Sequence, residues 1–302
     1  MLLTVVIPTR NRADRLERLL KSLKRQQRVD FQWEVLVMDN GSSDHTVDVI
    51  QAFMPGFPVP LRRIYDDIPG LHRGRNGGAM NANGTIVGFL DDDMEVDGHW
   101  IQGARLIRDG TVRAVAGKIL PVFEADVPDW AKVIYDGKTC GYWGLLDLGD
   151  APCPVNADQI PGGNCFVDRQ TVMEIKGFHP DGMPDSHARF RGDGETGFYR
   201  IFEKMGYAAR YDPIALAYHA VPAARMTLAY IQERAFRQGI SDSYSEIRSE
   251  GGLRDPLYHL INDAYLKGKL FHREEVRKDP DLLQWILRDN YLDHGKDEIK
   301  KH

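Results

Sequence analysis

TIVGFLDDD, which spans Thr85 to Asp93, joins an apolar run to three consecutive carboxylates. The run from Ile86 to Leu90 contains no polar side chain, which is typical of a strand that is buried on both faces of a sheet. Asp91, Asp92 and Asp93 follow at once, and carboxylates this close repel one another and raise their own pKa values. A bound cation would remove that repulsion. The stretch therefore predicts a buried strand that ends at a candidate metal site.

Around this stretch, the first 120 residues alternate between strand-like and helix-like segments. Apolar runs predict strands at residues 2–7, 33–38, 61–65, 85–90 and 113–119. Helical patterns predict helices at residues 11–23, 42–53, 75–83 and 100–107. This alternation predicts an α/β fold with a mostly parallel central sheet flanked by helices. Ligands of such sheets bind beyond the carboxyl ends of the strands.

Polar motifs follow three of the predicted strands: PTRNR at 8–12, DNGSSD at 39–44 and DDD at 91–93. We expect them to lie together, because the carboxyl ends of parallel strands meet at one edge of a sheet. Carboxylates beside a diphosphate are suitable ligands for Mg²⁺ or Mn²⁺. Asp39 is suited to accept a hydrogen bond from a base or a ribose. The alternative for each motif is structural, since the same residue types form turns and helix caps.

The second half of the chain has a different texture. Residues 121–161 are irregular and rich in Pro, Gly, Trp and Tyr, and irregular segments of this length are usually functional. Trp130, Tyr142 and Trp143 in this segment are candidates for stacking on a sugar ring, and equally for the core. Asp193 and Glu195 lie between glycines before an aromatic helix. Either is a candidate general base, or a charge that the N-terminal end of the helix favours.

His219 ends a further predicted strand, residues 214–219. It is a candidate metal or phosphate ligand, with an ordinary structural histidine as the alternative. After residue 222 the chain is predicted to be helical to its end. This extension could cover the acceptor cleft, form a homodimer or touch a membrane surface.

Composition excludes several classes of protein. A net charge of −5 gives no basic signature for nucleic acid. No apolar run of about 18 residues is present, so we predict no transmembrane helix. The three cysteines lack C-x-x-C spacing, which argues against a disulfide framework or a zinc site. We therefore expect a cytoplasmic protein, with peripheral contact to a membrane as an alternative.

Five motifs stand in the order seen in family 2 glycosyltransferases with the GT-A fold, and the resemblance covers about residues 2–222. They are TVVIPTRNRADRLERLLKSL, EVLVMDNGSSDHTVDVI, GLHRGRNGGAMNANGTIVGFLDDDMEVDGHW, PGGNCFVDRQTVMEIKGFHPDG and RGDGETGFYRIFEKMGY. The resemblance implies a catalytic domain over 1–222 and a helical C-terminal extension over 223–302. Within the domain, 1–120 would be the nucleotide-binding half and 121–222 the acceptor half. It also implies a nucleotide-diphosphate sugar donor and bound Mn²⁺ or Mg²⁺.

The same resemblance implies roles for individual residues. The nucleotide-binding candidates are Pro8, Thr9, Arg10, Asp39, Arg75, Asn76 and Asp92. The metal-binding candidates are Asp93, Asp91 and His219, with Asp93 the best ligand. The acceptor-binding candidates are Trp130, Trp143, Gly163 and Asn164. The family's base usually lies in a Glu-Asp pair, whereas this chain has Asp193-Gly194-Glu195. The spacing favours Asp193 as the base and leaves Glu195 as its rival, so both carboxylates remain catalytic candidates.

The expected function is a metal-dependent inverting transfer of a hexosyl or N-acetylhexosaminyl group from a UDP-sugar. The acceptor would be a hydroxyl group of a glycan, a lipid-linked glycan or a small molecule. One alternative is a sugar-phosphate nucleotidyltransferase, which would usually carry a Gly-rich, Lys- or Arg-bearing loop after the first strand. PTRNRADRL is not such a loop. The other alternative is a catalytically degenerate carbohydrate-binding module, and the intact carboxylates at 91, 93, 193 and 195 argue against it.

Overall fold

The computed structural model describes residues 2–180 and 191–287. The chain divides into two compact units, one within residues 1–246 and the other within 247–302. Residues 223–246, which the sequence assigns to the C-terminal extension, thus belong to the first unit. The part of the predicted acceptor half at 181–190 and the end of the extension at 288–302 lie outside the described residues.

One sheet of nine strands organises the first unit. The strands are β1 Leu3–Thr9, β2 Trp33–Asp39, β3 Leu61–Tyr65, β4 Ile86–Leu90, β5 Met94–Val96, β6 Ala114–Phe123, β7 Cys153–Pro154, β8 Asn164–Asp168 and β9 Ala209–Val221. Their order is β3-β2-β1-β4-β8-β6-β9-β5, and β7 pairs with β9.

The sheet is parallel in one part and mixed in the other. β3, β2, β1 and β4 form a parallel block, as the sequence predicts. β8 then runs antiparallel to both β4 and β6, β9 is parallel to β6, and β5 and β7 are antiparallel to β9. The sheet is therefore parallel in its first half and mixed in its second half. β8 follows an irregular segment rather than a crossover helix, and an antiparallel partner needs no crossover.

Helices cover both faces of the sheet in the first unit. The helices of the described chain are α1 Ala13–Leu23, α2 Thr46–Phe53, α3 Leu71–Asn81, α4 Arg105–Arg108, α5 Arg169–Ile175, α6 Gly194–Lys204, α7 Leu228–Glu250, α8 Pro256–Lys278 and α9 Pro280–Ile286. Val5 and Ile7 of β1 pack in one core with the leucines of α1. Val6, which faces the other way, packs in a second core with Ala79 of α3. This alternation explains why the first strand reads as a continuous apolar run.

Two helices differ from their predicted bounds. α3 begins at Leu71, four residues before the predicted start, because Gly70 adopts a φ of 141° that lets the chain turn into the helix. The predicted helix at 100–107 is a 3-10 turn, Trp100–Ala104, followed by the short α4.

The second unit contains α8, in which no described residue is buried. Within the described part of the chain, no helix is both long and apolar enough to cross a membrane. The homodimer and the contact with a membrane surface remain predictions.

A glycine of α3 offers a test of how the helix packs. A Cβ atom at Gly78 would overlap with Val6 Cγ1 of β1. Gly78→Ala should therefore lower the free energy of unfolding by about 1–3 kcal/mol, the usual cost of overpacking. Gly239 in α7 has no atom within 4 Å of such a Cβ. Gly239→Ala should raise the free energy by about 0.5–1 kcal/mol through helix propensity. Urea unfolding of the two variants measures both, and equal effects would contradict the described packing.

Candidate active site

The carboxyl ends of β1, β2 and β4 meet at one edge of the sheet, as predicted. The register sets Thr9 of β1 beside Asp39 of β2. Thr9 Oγ1 donates a 2.7 Å hydrogen bond to Asp92 Oδ2, just beyond β4. Three motifs that lie far apart in the sequence thus line a single edge. Pro8 is buried in this edge and Arg10 is exposed on it.

Asp39 is fully buried and saturated by neighbours. Arg63 Nη2 and Nε donate to Asp39 Oδ2 at 2.6 and 2.9 Å, and the backbone amide of Ser42 donates to Oδ1 at 2.9 Å. The arginine of β3 compensates the charge that the strand buries. Both oxygens of Asp39 are thus engaged inside the protein.

Asp92 is the most enclosed of the three consecutive aspartates. Besides Thr9, it accepts a 2.8 Å hydrogen bond from Arg12 Nη1. Burial raises the pKa of Asp92 to about 6, and repulsion by Asp93 adds to this, although the Arg12 charge and the hydrogen bonds oppose it. Its contacts join the first loop to the end of β4.

Asp93 lies in a corner formed by two arginines and a histidine. β5 pairs with β9 in a register that sets His219 beside Met94, one residue after Asp93. His219 Nε2 is 3.5 Å from Asp93 Oδ1, and Arg225 Nη2 is 3.1 Å from Asp93 Oδ2. Burial alone would raise the pKa of Asp93. The charges of Arg225 and Arg12 outweigh it, so the pKa lies below its ordinary value.

The contacts of His219 fix its tautomer. Nδ1 lies 2.7 Å from the Trp143 carbonyl oxygen, so Nδ1 carries the proton and donates it. Arg225 Nη1 lies 3.0 Å from Nε2. A guanidinium has no acceptor, so Nε2 is unprotonated and accepts from Arg225 through its single lone pair. A neutral imidazole whose Nδ1 donates to a carbonyl is the usual form of a metal-binding histidine.

These atoms fit part of a divalent-cation site. The Asp93 carboxylate and the His219 Nε2 lone pair are adjacent, and their chemistry suits Mn²⁺. Asp91, the third predicted ligand, is turned away and pairs with Arg75 instead. Across residues 2–180 and 191–287, no group of three or more His, Cys, Asp or Glu could hold a metal ion. Two protein ligands alone do not complete the coordination of such an ion, so a bound ligand and water would have to supply the rest.

Arg75 of α3 connects Asp91 to one of the two candidate bases. Its buried guanidinium donates from Nη2 to Asp91 Oδ1 at 2.7 Å and from Nη1 to Glu195 Oε2 at 3.2 Å. His72 Nε2 lies 2.9 Å from the same Glu195 oxygen. Burial would raise the pKa of Glu195, but His72 and Arg75 outweigh it and keep the pKa below its ordinary value. Glu195 is consequently ionised and held in one orientation.

Asp193 has a different environment from Glu195. Its side chain is 5% exposed, whereas that of Glu195 is 38% exposed. His179 Nδ1 lies 2.5 Å from Asp193 Oδ1, and Ser245 Oγ of α7 donates to Oδ2 at 2.6 Å. These hydrogen bonds outweigh burial and lower the pKa of Asp193. Both oxygens are thus engaged inside the protein.

Asn76, the neighbour of Arg75, holds a loop. Its side chain accepts from the Phe178 amide at 2.8 Å and donates to the Phe178 carbonyl oxygen at 2.9 Å. In the structure both polar ends of Asn76 are used by the protein.

Two of the four acceptor-binding candidates have side chains that are buried and hydrogen-bonded within the protein. Trp143 is 1% exposed, packs in the core and donates from Nε1 to the Arg225 carbonyl oxygen. Asn164 is fully buried, and its amide bonds to Trp100 Nε1, the Lys118 carbonyl oxygen and the Ala215 carbonyl oxygen.

The other two acceptor-binding candidates have different surroundings. Gly163 is buried directly beneath Asp91, where a Cβ atom would overlap with the carboxylate. Its carbonyl oxygen accepts a 3.0 Å hydrogen bond from the Asp91 amide. Trp130 is half-buried, so part of its ring can still meet a ligand.

A cleft of about 380 Å³ opens beside Asp93. Its lining includes Arg12, Arg15, His45 and Arg225. This volume lies in the range of sites that hold small ligands. Asp14, Asp44 and Asp93 also line the cleft, so an anion would be bound by the individual arginines and not by a net positive charge.

The sequence gives no role to several residues of this site: Arg12, His72, His179, Arg225 and Ser245. Arg12 stands inside the PTRNR motif and could have been considered there. Nothing in the sequence pattern marks His72, His179 or Ser245, since their partners lie 14 to 123 positions away.

Comparison with known proteins finds similarity to glycosyltransferases in the first half of the chain. The glycosyl transferase family 2 model matches residues 4–147. The uncharacterized glycosyltransferase YfnE of Bacillus subtilis is 42% identical over 91 residues, which make up 30% of this chain and 23% of that protein. Matches to the first four curated relatives cover only 23% to 38% of the relatives' lengths.

Two solved structures resemble the fold. The mannosyltransferase PcManGT of Pyrobaculum calidifontis, in complex with GDP-Man and Mn²⁺, matches with a TM-score of 0.54 and 21% identity over 84% of this chain and 65% of that chain. TarS 1–349 of S. aureus, in complex with UDP-GlcNAc, matches with a TM-score of 0.52 and 17% identity over 73% and 59%. At these identities the likeness concerns the fold. Residues 4–147 of the chain are thus similar to the family 2 glycosyltransferases, and the chain has the GT-A fold.

Proposed function

We propose that this protein transfers a sugar from a nucleotide-diphosphate sugar to a hydroxyl acceptor, with a divalent cation and with inversion at the anomeric carbon. One observation carries the proposal. Asp93 lies beside His219, and together they form the candidate cation site. Two residues earlier in the chain, Asp91 pairs with Arg75, which also pairs with the candidate base Glu195. The segment Asp91 to Asp93 therefore connects the candidate cation site to the candidate base. An inverting transfer needs these two features on opposite sides of the reacting carbon.

The nucleotide would bind along the strand edge. Asp39 and Thr9 lie at the ends of β2 and β1, and Arg12 and Arg225 contribute positive charge to the adjacent cleft. Asp93 and His219 would hold Mn²⁺ or Mg²⁺. When bound, the ion would neutralise the charge that develops on the leaving diphosphate.

Glu195 is the proposed general base. It is ionised, partly exposed and oriented by His72 and Arg75. It would accept the proton of the acceptor hydroxyl as that oxygen attacks the anomeric carbon from the face opposite the diphosphate. Asp193 would be a positioning residue, since its oxygens bind His179 and Ser245 at the start of α6.

The donor and the acceptor are proposed as classes. We propose UDP as the nucleotide of the donor. The two solved structures of similar fold contain UDP-GlcNAc in one case and GDP-Man in the other. The sugar would be a hexose or an N-acetylhexosamine. The acceptor would be a hydroxyl of a glycan, a lipid-linked glycan or a small molecule, with Trp130 as the aromatic contact that stays accessible. A cytoplasmic location fits this donor.

Calorimetry tests the proposal. Titrations of UDP, GDP and TDP with and without Mn²⁺ should show binding of one nucleotide, tightened by the ion. Asp93→Ala should abolish the effect of Mn²⁺. Asp129→Ala, which changes a fully exposed carboxylate, is the matched control and should behave like the unchanged protein. A protein that binds none of the nucleotides would contradict the proposal. Release of pyrophosphate from a nucleoside triphosphate and a sugar phosphate would favour a nucleotidyltransferase instead.

A further inference from the structure

Arg225 bridges the two side chains that the proposed function assigns to the cation. Its Nη2 lies 3.1 Å from Asp93 Oδ2, and its Nη1 donates to His219 Nε2 at 3.0 Å. We infer that the guanidinium of Arg225 takes the place of the metal ion between Asp93 and His219, here called the metal corner, as long as no donor is bound. When the donor binds, Arg225 moves to its diphosphate. The inference rests on the proposed function and adds an order of events to it.

The guanidinium and a divalent ion compete for the same atoms. The single lone pair of His219 Nε2 can either accept from Arg225 or bind a metal ion. A guanidinium stays charged at any pH at which the protein is folded, so it does not leave by losing a proton. Arg12 Nη1 lies 3.3 Å from the same Asp93 oxygen and adds further positive charge. A metal ion that enters the free protein must therefore displace Arg225.

The backbone of Arg225 is held in place, whereas its side chain faces the cleft and has room to move. The Trp143 Nε1 hydrogen bond to its carbonyl oxygen, at 3.0 Å, anchors the backbone right after β9. The side chain is 23% exposed and lines the cleft. A diphosphate in that cleft offers oxygen pairs that match the two-pronged donor geometry of arginine. Moving Arg225 to the diphosphate would free Asp93 and His219 together.

The movement of Arg225 would couple the binding of the metal ion to the binding of the nucleotide diphosphate. A nucleotide diphosphate that draws Arg225 away makes the metal corner available, and the effect is reciprocal. In the unchanged protein, Mn²⁺ alone should bind weakly. Arg225→Met removes the competitor, so Mn²⁺ alone should bind more tightly by about 5-fold or more, while UDP alone should bind more weakly.

The experiment measures free Mn²⁺ by electron paramagnetic resonance, in titrations of the full chain with and without UDP. Arg15→Met is the matched control: Arg15 lines the same cleft, but it pairs with Glu124 and not with the metal corner. Arg225→Met should strengthen the binding of Mn²⁺ alone, and Arg15→Met should not. If Arg225→Met unfolds, judged by thermal melting, Arg225→Gln gives the same comparison.

The outcomes separate the inference from the proposed function. Equal strengthening by both variants would show a general effect of charge and would overturn the inference. Unchanged affinity for Mn²⁺ in Arg225→Met, with UDP and Mn²⁺ still binding together, would overturn the inference and leave the proposed function standing. Absence of Mn²⁺ binding even with UDP, and no effect of Asp93→Ala, would overturn both.

Discussion

Replacing Glu195 by glutamine is expected to slow sugar transfer by about 10²- to 10⁴-fold, the usual contribution of a general base. Glutamine keeps the size of the side chain and can still contact Arg75, but it cannot accept the proton of the acceptor hydroxyl. Binding of UDP and Mn²⁺ should stay unchanged, since Glu195 lies on the Asp91 side of the site and not in the Asp93 corner. The assay is the hydrolysis of a UDP-sugar, in which water replaces the acceptor, and the measured quantity is the rate at which UDP is released.

Asp193→Asn is the control variant that distinguishes Glu195 from Asp193 as the general base. Asp193 is buried between His179 and Ser245, so its loss should act mainly on stability. We expect the free energy of unfolding to fall by about 1–3 kcal/mol, the range for hydrogen bonds to a charged group, with a much smaller change in rate than for Glu195→Gln. The reverse pattern, an inactive Asp193→Asn beside an active Glu195→Gln, would assign the base to Asp193.

The sequence predicts the strand edge well because that edge follows from backbone topology. Apolar runs predict β1, β2 and β4, and the geometry of parallel strands brings their ends together whatever the side chains do. The nearness of Thr9 and Asp92 needs no knowledge of packing. The same argument does not reach β8, whose direction depends on how an irregular segment returns to the sheet.

Side-chain pairing is the part that sequence patterns did not predict. Arg75 meets Glu195 across 120 positions, and Asp193 meets Ser245 across 52. Such pairs depend on how helices dock on the sheet, and no local pattern records that docking. Trp143 illustrates the same limit, since an aromatic residue in a Gly- and Pro-rich segment suits a sugar platform and a core equally well. Only burial separates the two uses.

Arg75→Met is expected to produce the largest loss of stability among single changes at the site. The guanidinium of Arg75 is 1% exposed and compensates both Asp91 and Glu195. Without it, Asp91 loses its counter-charge and Glu195 keeps only His72 as a partner among the described residues. Removing one partner of a buried ion pair costs about 3–5 kcal/mol, and we expect the lower end, about 3 kcal/mol, because both carboxylates keep some contact with solvent. A stability of 5–15 kcal/mol is typical of folded proteins, so the variant should still fold.

Arg73→Met on the same helix isolates this effect. Arg73 is 46% exposed and pairs with Asp66 at 2.6 Å, and exposed pairs contribute at most about 1 kcal/mol. Both variants lose one positive charge and gain the same side chain within three residues of α3, so helix propensity and net charge change equally. Urea unfolding, monitored by tryptophan fluorescence, should therefore give a free energy of unfolding that is lower by about 2 kcal/mol or more for Arg75→Met than for Arg73→Met. Equal losses would mean that the Asp91–Arg75–Glu195 network carries no special energy, and that the orientation of Glu195 has another cause.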